Sequence, residues 1–145
     1  MNTASRELLA PRQDVWALVS EPYNLPDWWP AYVGVRPDRL GLAVNARWTV
    51  RRADTPGLLR RPGGEGVIVI TRVDPTLELA WHDVRQGIDV SLALANAGED
   101  RTRATVTVNG DWWRLVLEGA RSLPKRSLDR LYDLCQTAAT LDNRG

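Results

Sequence analysis

Few side chains in this sequence have the type and spacing to do chemistry. Asp83 shares the strand parity of Trp81, which turns a carboxylate toward the apolar side of its strand. Partly buried, such a group would have a raised pKa and could pass a proton as acid or base; beyond the closed part of a sheet it would be wet. Its place near a strand end favours the wet state. His82, the only histidine, has the opposite parity and stands outside with Glu78, with no serine–aspartate pattern around it, so a catalytic triad is rejected. One histidine and one cysteine on separate elements make a transition-metal site improbable, and no metal is expected. Cys135 falls on the apolar stripe of a helix and reads as a small core residue rather than a nucleophile. Pro62-Gly63-Gly64-Glu65-Gly66 lacks the Lys-Ser/Thr ending of a phosphate loop and opens a strand instead of a helix, so it is a flexible connection. No cofactor is expected. Arg51, Arg52, Arg60 and Arg61 could neutralise phosphate, but an isolated group of this kind reads as a solvated edge.

The chain that must position these groups has 145 residues, which suits one domain over 1–145. Hydrophobic residues make up 43% and charged residues 26%, the balance of a globular domain and not of a disordered one. Nineteen basic against eighteen acidic residues leave a net charge of +1, too even for a dedicated nucleic-acid binder. No apolar run approaches the ~18–20 residues of a membrane span. The opening MNTASRELLAPRQ has no apolar core of a secretory signal, and a single cysteine allows no internal disulfide; both point to the cytoplasm. Seven tryptophans and no phenylalanine are the distinctive feature, each ring a large rigid apolar surface with one N–H that wants a partner.

Thr3–Ala10 reads as a strand running into Pro11, and Val15, Leu18 and Val19 mark a helix over about 11–20. A second short helical piece follows Asn24, with Pro26 in its first turn and Pro30 closing it. Six segments of period two come next: Tyr32–Leu40, Asn45–Ala53, Gly66–Asp74, Leu77–Val84, Ile88–Ala97 and Thr102–Gly110. Ala46, Trp48 and Val50 share one face of their strand; Leu77, Leu79 and Trp81 share another, as do Val90, Leu92 and Leu94. An antiparallel sheet with one apolar and one solvated face results. From Trp112 to about Leu141 the period is helical, with Trp113, Val116, Leu117, Ala120, Pro124, Leu131, Leu134, Cys135 and Ala138 on one stripe and Asp111 as N-cap. Because the stripe keeps phase through Pro124, one long helix kinked at that proline is expected. Residues 54–66, rich in glycine and proline, are expected to be the most mobile internal segment.

This order of elements is similar to the helix-grip fold of the START-like (SRPBCC) superfamily: α+β, a curved antiparallel sheet of about seven strands around a long C-terminal helix, with two short helices after the first strand. Ala10-Pro11-Arg12-Gln13-Asp14-Val15-Trp16 looks like that family's first-helix segment, and Glu21-Pro22-Tyr23-Asn24-Leu25-Pro26-Asp27-Trp28-Trp29-Pro30 resembles its second. The Ala97–Arg103 hairpin resembles the turn before its last strand. Within the superfamily the polyketide cyclase/dehydrase and lipid-transport group of bacterial proteins is the most similar. The resemblance implies a cavity between sheet and helix that takes a hydrophobic or amphipathic small molecule, walled by Trp48, Trp81, Val90, Leu92, Trp113, Val116, Leu117 and Ala120. Asp83, Asn96 and an arginine from the Arg51–Arg61 segment would orient that molecule. Trp28, Trp29 and Tyr32 would guard the mouth, with at least one ring at the rim or in solvent, since a short helix between two prolines cannot bury all three on one face. Binding leads. A cyclase/dehydratase-type enzyme using the same cavity, and a regulatory module acting through protein contacts, remain open, and the protein would be a monomer or a homodimer.

Overall fold

Strand β1 (Asn2–Leu8) leads into helix α1 (Arg12–Val19), and a 3-10 turn at Pro22–Asn24 runs directly into α2 (Leu25–Trp28). Six strands follow: β2 (Tyr32–Arg36), β3 (Arg47–Arg52), β4 (Glu65–Asp74), β5 (Glu78–Asp83), β6 (Ile88–Gly98) and β7 (Arg101–Asn109). A 3-10 turn at Ala120–Ser122 starts the last helix, α3 (Leu123–Asp142). This is a computed structural model, and it describes residues 1–53, 64–111, 115 and 120–142, with side chains as far as residue 138.

All neighbours pair antiparallel in a seven-stranded sheet of order β1-β7-β6-β5-β4-β3-β2. Chain neighbours are therefore sheet neighbours from β2 to β7, and β1 is added at the far edge against β7. Helix α3 packs on β1, β7 and α2, and α2 packs on β2. The alternation seen in the sequence becomes the core: Trp48 and Val50, Ile68 and Ile70, Leu79 and Trp81, Val90, Leu92 and Leu94 all turn inward and are buried. Val15 and Val19 of α1 and Leu128, Leu131 and Cys135 of α3 close that face. Arg6 of β1 fastens α3 from outside, pairing with Asp129 at 2.6 Å and lying 3.9 Å over the Tyr132 ring. Among the described residues no helix is long and apolar enough to cross a membrane.

Several expectations need correction. Pro124 is the second residue of α3, directly after the 3-10 turn and within the first turn, where proline is tolerated; residues 116–119, on which one continuous helix from Trp112 depends, lie outside the described residues. The Leu115 amide bonds the carbonyl of Asp111, the expected cap, at 3.1 Å. Ala138, placed on the buried stripe, is exposed. Leu77 is exposed as well, since it sits in the turn before β5 rather than in the strand. Of the segment expected to be mobile, Glu65 and Gly66 are strand residues paired with Arg51 and Val50, Gly64 precedes them, and 54–63 lie outside the described residues.

Candidate functional site

Antiparallel pairing brings the start of β2, the end of β3, the start of β4 and the end of β5 to one end of the sheet. Tyr32 opens β2, Arg52 closes β3 and Asp83 closes β5, and Tyr32 and Arg52 are direct cross-strand partners. Arg52 shares the parity of Trp48 and Val50, and Asp83 that of Leu79 and Trp81, so both face inward. The three side chains meet there.

The strand-end position does not leave Asp83 wet: its side chain is 0% exposed, and that of Arg52 only 11%. Oδ1 accepts from Arg52 Nη2 at 2.5 Å and from the Gln86 amide at 3.0 Å; Oδ2 accepts from the Tyr32 hydroxyl at 2.8 Å. The Asp83 carbonyl also accepts from the Gly87 amide at 2.8 Å, closing a turn in which Gly87 takes φ +65°. That turn folds over the strand end and excludes water from the carboxylate. Trp81 Nε1 then donates to the Tyr32 oxygen at 3.2 Å, so one chain of bonds runs from indole to phenol to carboxylate to guanidinium. Burial, followed by the Asp83 charge and its hydrogen bond, pushes the Tyr32 hydroxyl well above its ordinary pKa, so Tyr32 stays protonated and donates.

Against this polar group lies an aromatic cluster. Trp29 and Trp81 meet edge to face at 5.3 Å and 89°, Trp28 and Trp81 at 5.7 Å and 76°, Trp28 and Trp29 at 6.2 Å and 72°. The ring of Tyr32 stands 6.5 Å from that of Trp29. No ring of the three expected at a rim is there: Trp28, Trp29 and Tyr32 are 0%, 0% and 2% exposed. The reason is that α2 ends at Trp28, so Trp29 and Tyr32 leave in extended backbone and need not share a helical face.

Two donors in this region are buried without an acceptor, Arg52 Nε and Trp28 Nε1. An unsatisfied buried N–H costs about 1–3 kcal/mol. Trp48, by contrast, is satisfied at the opposite end of its strand, where Nε1 donates to the Gly41 carbonyl at 2.8 Å across a turn with φ +62° at that glycine. A surface concavity of about 870 Å³ lies near it, against Pro37, Asp38, Arg39 and Leu40. The Asp38 carboxylate there is already taken by the amides of Leu40 and Arg47.

Of the residues named from sequence, Trp48, Trp81, Val90, Leu92 and Ala120 are all buried in the core, while Trp113, Val116 and Leu117 lie outside the described residues. Asn96 is exposed near the end of β6, where the sheet breaks register between Asn96 and Gly98, and it is not part of the group. The role of Tyr32 as the donor to Asp83, and of Arg52 as its ion partner, was not assigned from sequence. Arg52, grouped with Arg51, Arg60 and Arg61 as a solvated edge, is instead largely buried and turned inward; its parity with Trp48 was the signal that could have shown this. Cys135 is buried, and burial, then the Asp14 charge, raise its thiol to about 11. Among the described residues no group of three or more His, Cys, Asp or Glu side chains could hold a metal.

Solved structures of small bacterial proteins share this arrangement. NE0264 from Nitrosomonas europaea superposes with a TM-score of 0.70 at 18% identity, covering 95% of each chain. The chain has a helix-grip-like fold. Ms6760 from Mycobacterium smegmatis gives 0.72 at 17% identity, over 94% of this chain and 90% of the other. DynU16, a protein of the dynemicin biosynthetic locus, gives 0.67 at 19% identity over 94% of this chain, which spans 47% of DynU16. At these identities the likeness is one of fold. No family model and no curated protein sequence matches the chain.

Proposed function

We propose that this protein, as a START-like (SRPBCC) domain, binds a hydrophobic or amphipathic small molecule between the inner face of its sheet and the C-terminal helix. Trp48, Trp81, Val90, Leu92 and Ala120 supply apolar wall, and the Arg52–Asp83–Tyr32 group orients the polar end of the ligand. The observation that carries the reading is the pair of buried donors without acceptors, Arg52 Nε and Trp28 Nε1, beside an ion pair facing an apolar interior. Buried polar groups of a packed core are mostly hydrogen-bonded, so two free donors in this region call for a reason. A ligand acceptor would relieve them.

A second reading, a cyclase/dehydratase-type enzyme, draws on the Tyr32–Asp83 bond of 2.8 Å, a buried acid beside a carboxylate held by an arginine. The biosynthetic-locus neighbour is of the same fold and agrees with it. A protein-contact role through an exposed aromatic rim has lost its support, because that rim is buried.

Native mass spectrometry of protein purified from its own host tests the first reading. The expected result is a retained apolar molecule that is released on denaturation. If none is retained, and no member of a panel of long-chain alcohols changes the indole emission, the reading is refuted. Turnover of the retained molecule would move the assignment from binder to enzyme.

A further inference from the structure

Two arginines lie against the glycines at the start of β4. A side chain on Gly66 would begin 3.6 Å from Arg52 Nε and 3.7 Å from its Nη2, with Arg85 Cβ 3.6 Å away on the other flank. A Cβ on Gly64 would collide with Arg85 Nη1. That same nitrogen donates to the Glu65 carbonyl at 3.1 Å, which holds the Arg85 guanidinium against the strand. Two glycines two residues apart thus seat two arginines at one end of the sheet.

Their charges do not balance. Asp83 engages Arg52 through Nη2 and leaves its Nε–H buried and unbonded. Arg85 is exposed and has no carboxylate partner among the described residues. Of the two guanidiniums only Arg52 is paired with a carboxylate, which leaves unpaired positive charge beside Gly66, where the unbonded Nε–H also lies. Guanidinium forks match the planar or tetrahedral oxygens of carboxylates and phosphates, and they bind them more strongly at a partly desolvated site than in water.

We infer that Arg52 and Arg85, seated on Gly66 and Gly64, hold an anionic head group, a carboxylate or a phosphate, on the molecule that the cavity takes. The inference rests on the cavity reading above and names the class of ligand: an acid with an apolar body. Arg52 Nε–H donates to one oxygen of the head group at the Gly66 surface, and Arg85 reaches it from the solvent side.

Matched twelve-carbon probes test this: dodecanol, dodecanoate and dodecyl phosphate, titrated against indole emission and against the arginine Nε–H resonances in nitrogen-15 spectra. Both acids are expected to bind at least tenfold more tightly than dodecanol and to shift the buried Arg52 Nε–H signal downfield. A larger preference for one acid identifies the head group as carboxylate or phosphate. Arg85→Gln narrows the preference for acids over dodecanol to within about twofold, and Gly64→Ala, which displaces Arg85 without removing it, narrows it part of the way. Equal binding of all three probes to the natural protein overturns the anion seat and leaves the cavity standing. Failure of all three to bind overturns both.

Discussion

Tyr32→Phe removes one oxygen and keeps the ring beside Trp29. The lost oxygen makes two bonds in a dry place: it donates to Asp83 Oδ2 at 2.8 Å and accepts from Trp81 Nε1 at 3.2 Å. A bond to a charged group contributes about 1.5–3 kcal/mol, and leaving the indole N–H buried without an acceptor costs about 1–3 kcal/mol. The two penalties overlap in part, because Asp83 keeps Arg52 and the Gln86 amide, so a loss of about 3 kcal/mol is expected. With a urea slope of about 2 kcal/mol per molar for a domain of this size, the unfolding midpoint falls by about 1.5 M. Indole emission is the natural probe, since three tryptophans pack around the site. Trp81→Phe removes the donor, so the double variant should cost less than the sum of the two single ones by about 1 kcal/mol. A shift under about 0.3 M for Tyr32→Phe, with no coupling to Trp81, would mean that water reaches Asp83, and the dry-site argument fails.

The same tyrosine sets a pH dependence. Its pKa is raised in the folded protein above the ordinary 10.0, so the unfolded chain loses this proton first and stability, level below about pH 10, falls as pH rises beyond it. Urea midpoints from pH 8 to 11.5 should show that fall, and Tyr32→Phe should make it shallower; an unchanged slope would contradict it. Cys135, buried with its thiol raised to about 11, should resist a disulfide reagent at pH 8 in the folded protein and react at once in urea, as mass spectrometry can follow. Rapid labelling without denaturant would place it at a surface. Pro124→Ala should change stability by less than about 1 kcal/mol, since the residue is in the first turn of α3. A gain near the ~3 kcal/mol expected for relief of a mid-helix proline would contradict that placement.

The strands were legible because alternation is local: Trp48 and Val50, or Leu79 and Trp81, announce an inner face wherever the strand is later placed. The order of elements was legible for the same reason, and so was the burial of Cys135, which follows from helical phase. Proline was not, because its meaning depends on where a helix begins. Pro124 keeps the apolar phase in either case, and its place as the second residue of α3, just after a 3-10 turn, comes only from the fold. The candidate site shows the same division. Parity turned Asp83 inward, while Arg52 was read as a solvated edge although it shares the parity of Trp48, and whether a strand-end carboxylate meets water depends on what folds over it. Here the turn through Gln86 and Gly87 covers it, and the start of β2, more than fifty residues earlier in the chain, brings the Tyr32 hydroxyl. Inward direction is a property of the strand. Dryness, and the bond from Tyr32, are properties of the folded sheet, because desolvation is set by neighbours that are near only after folding.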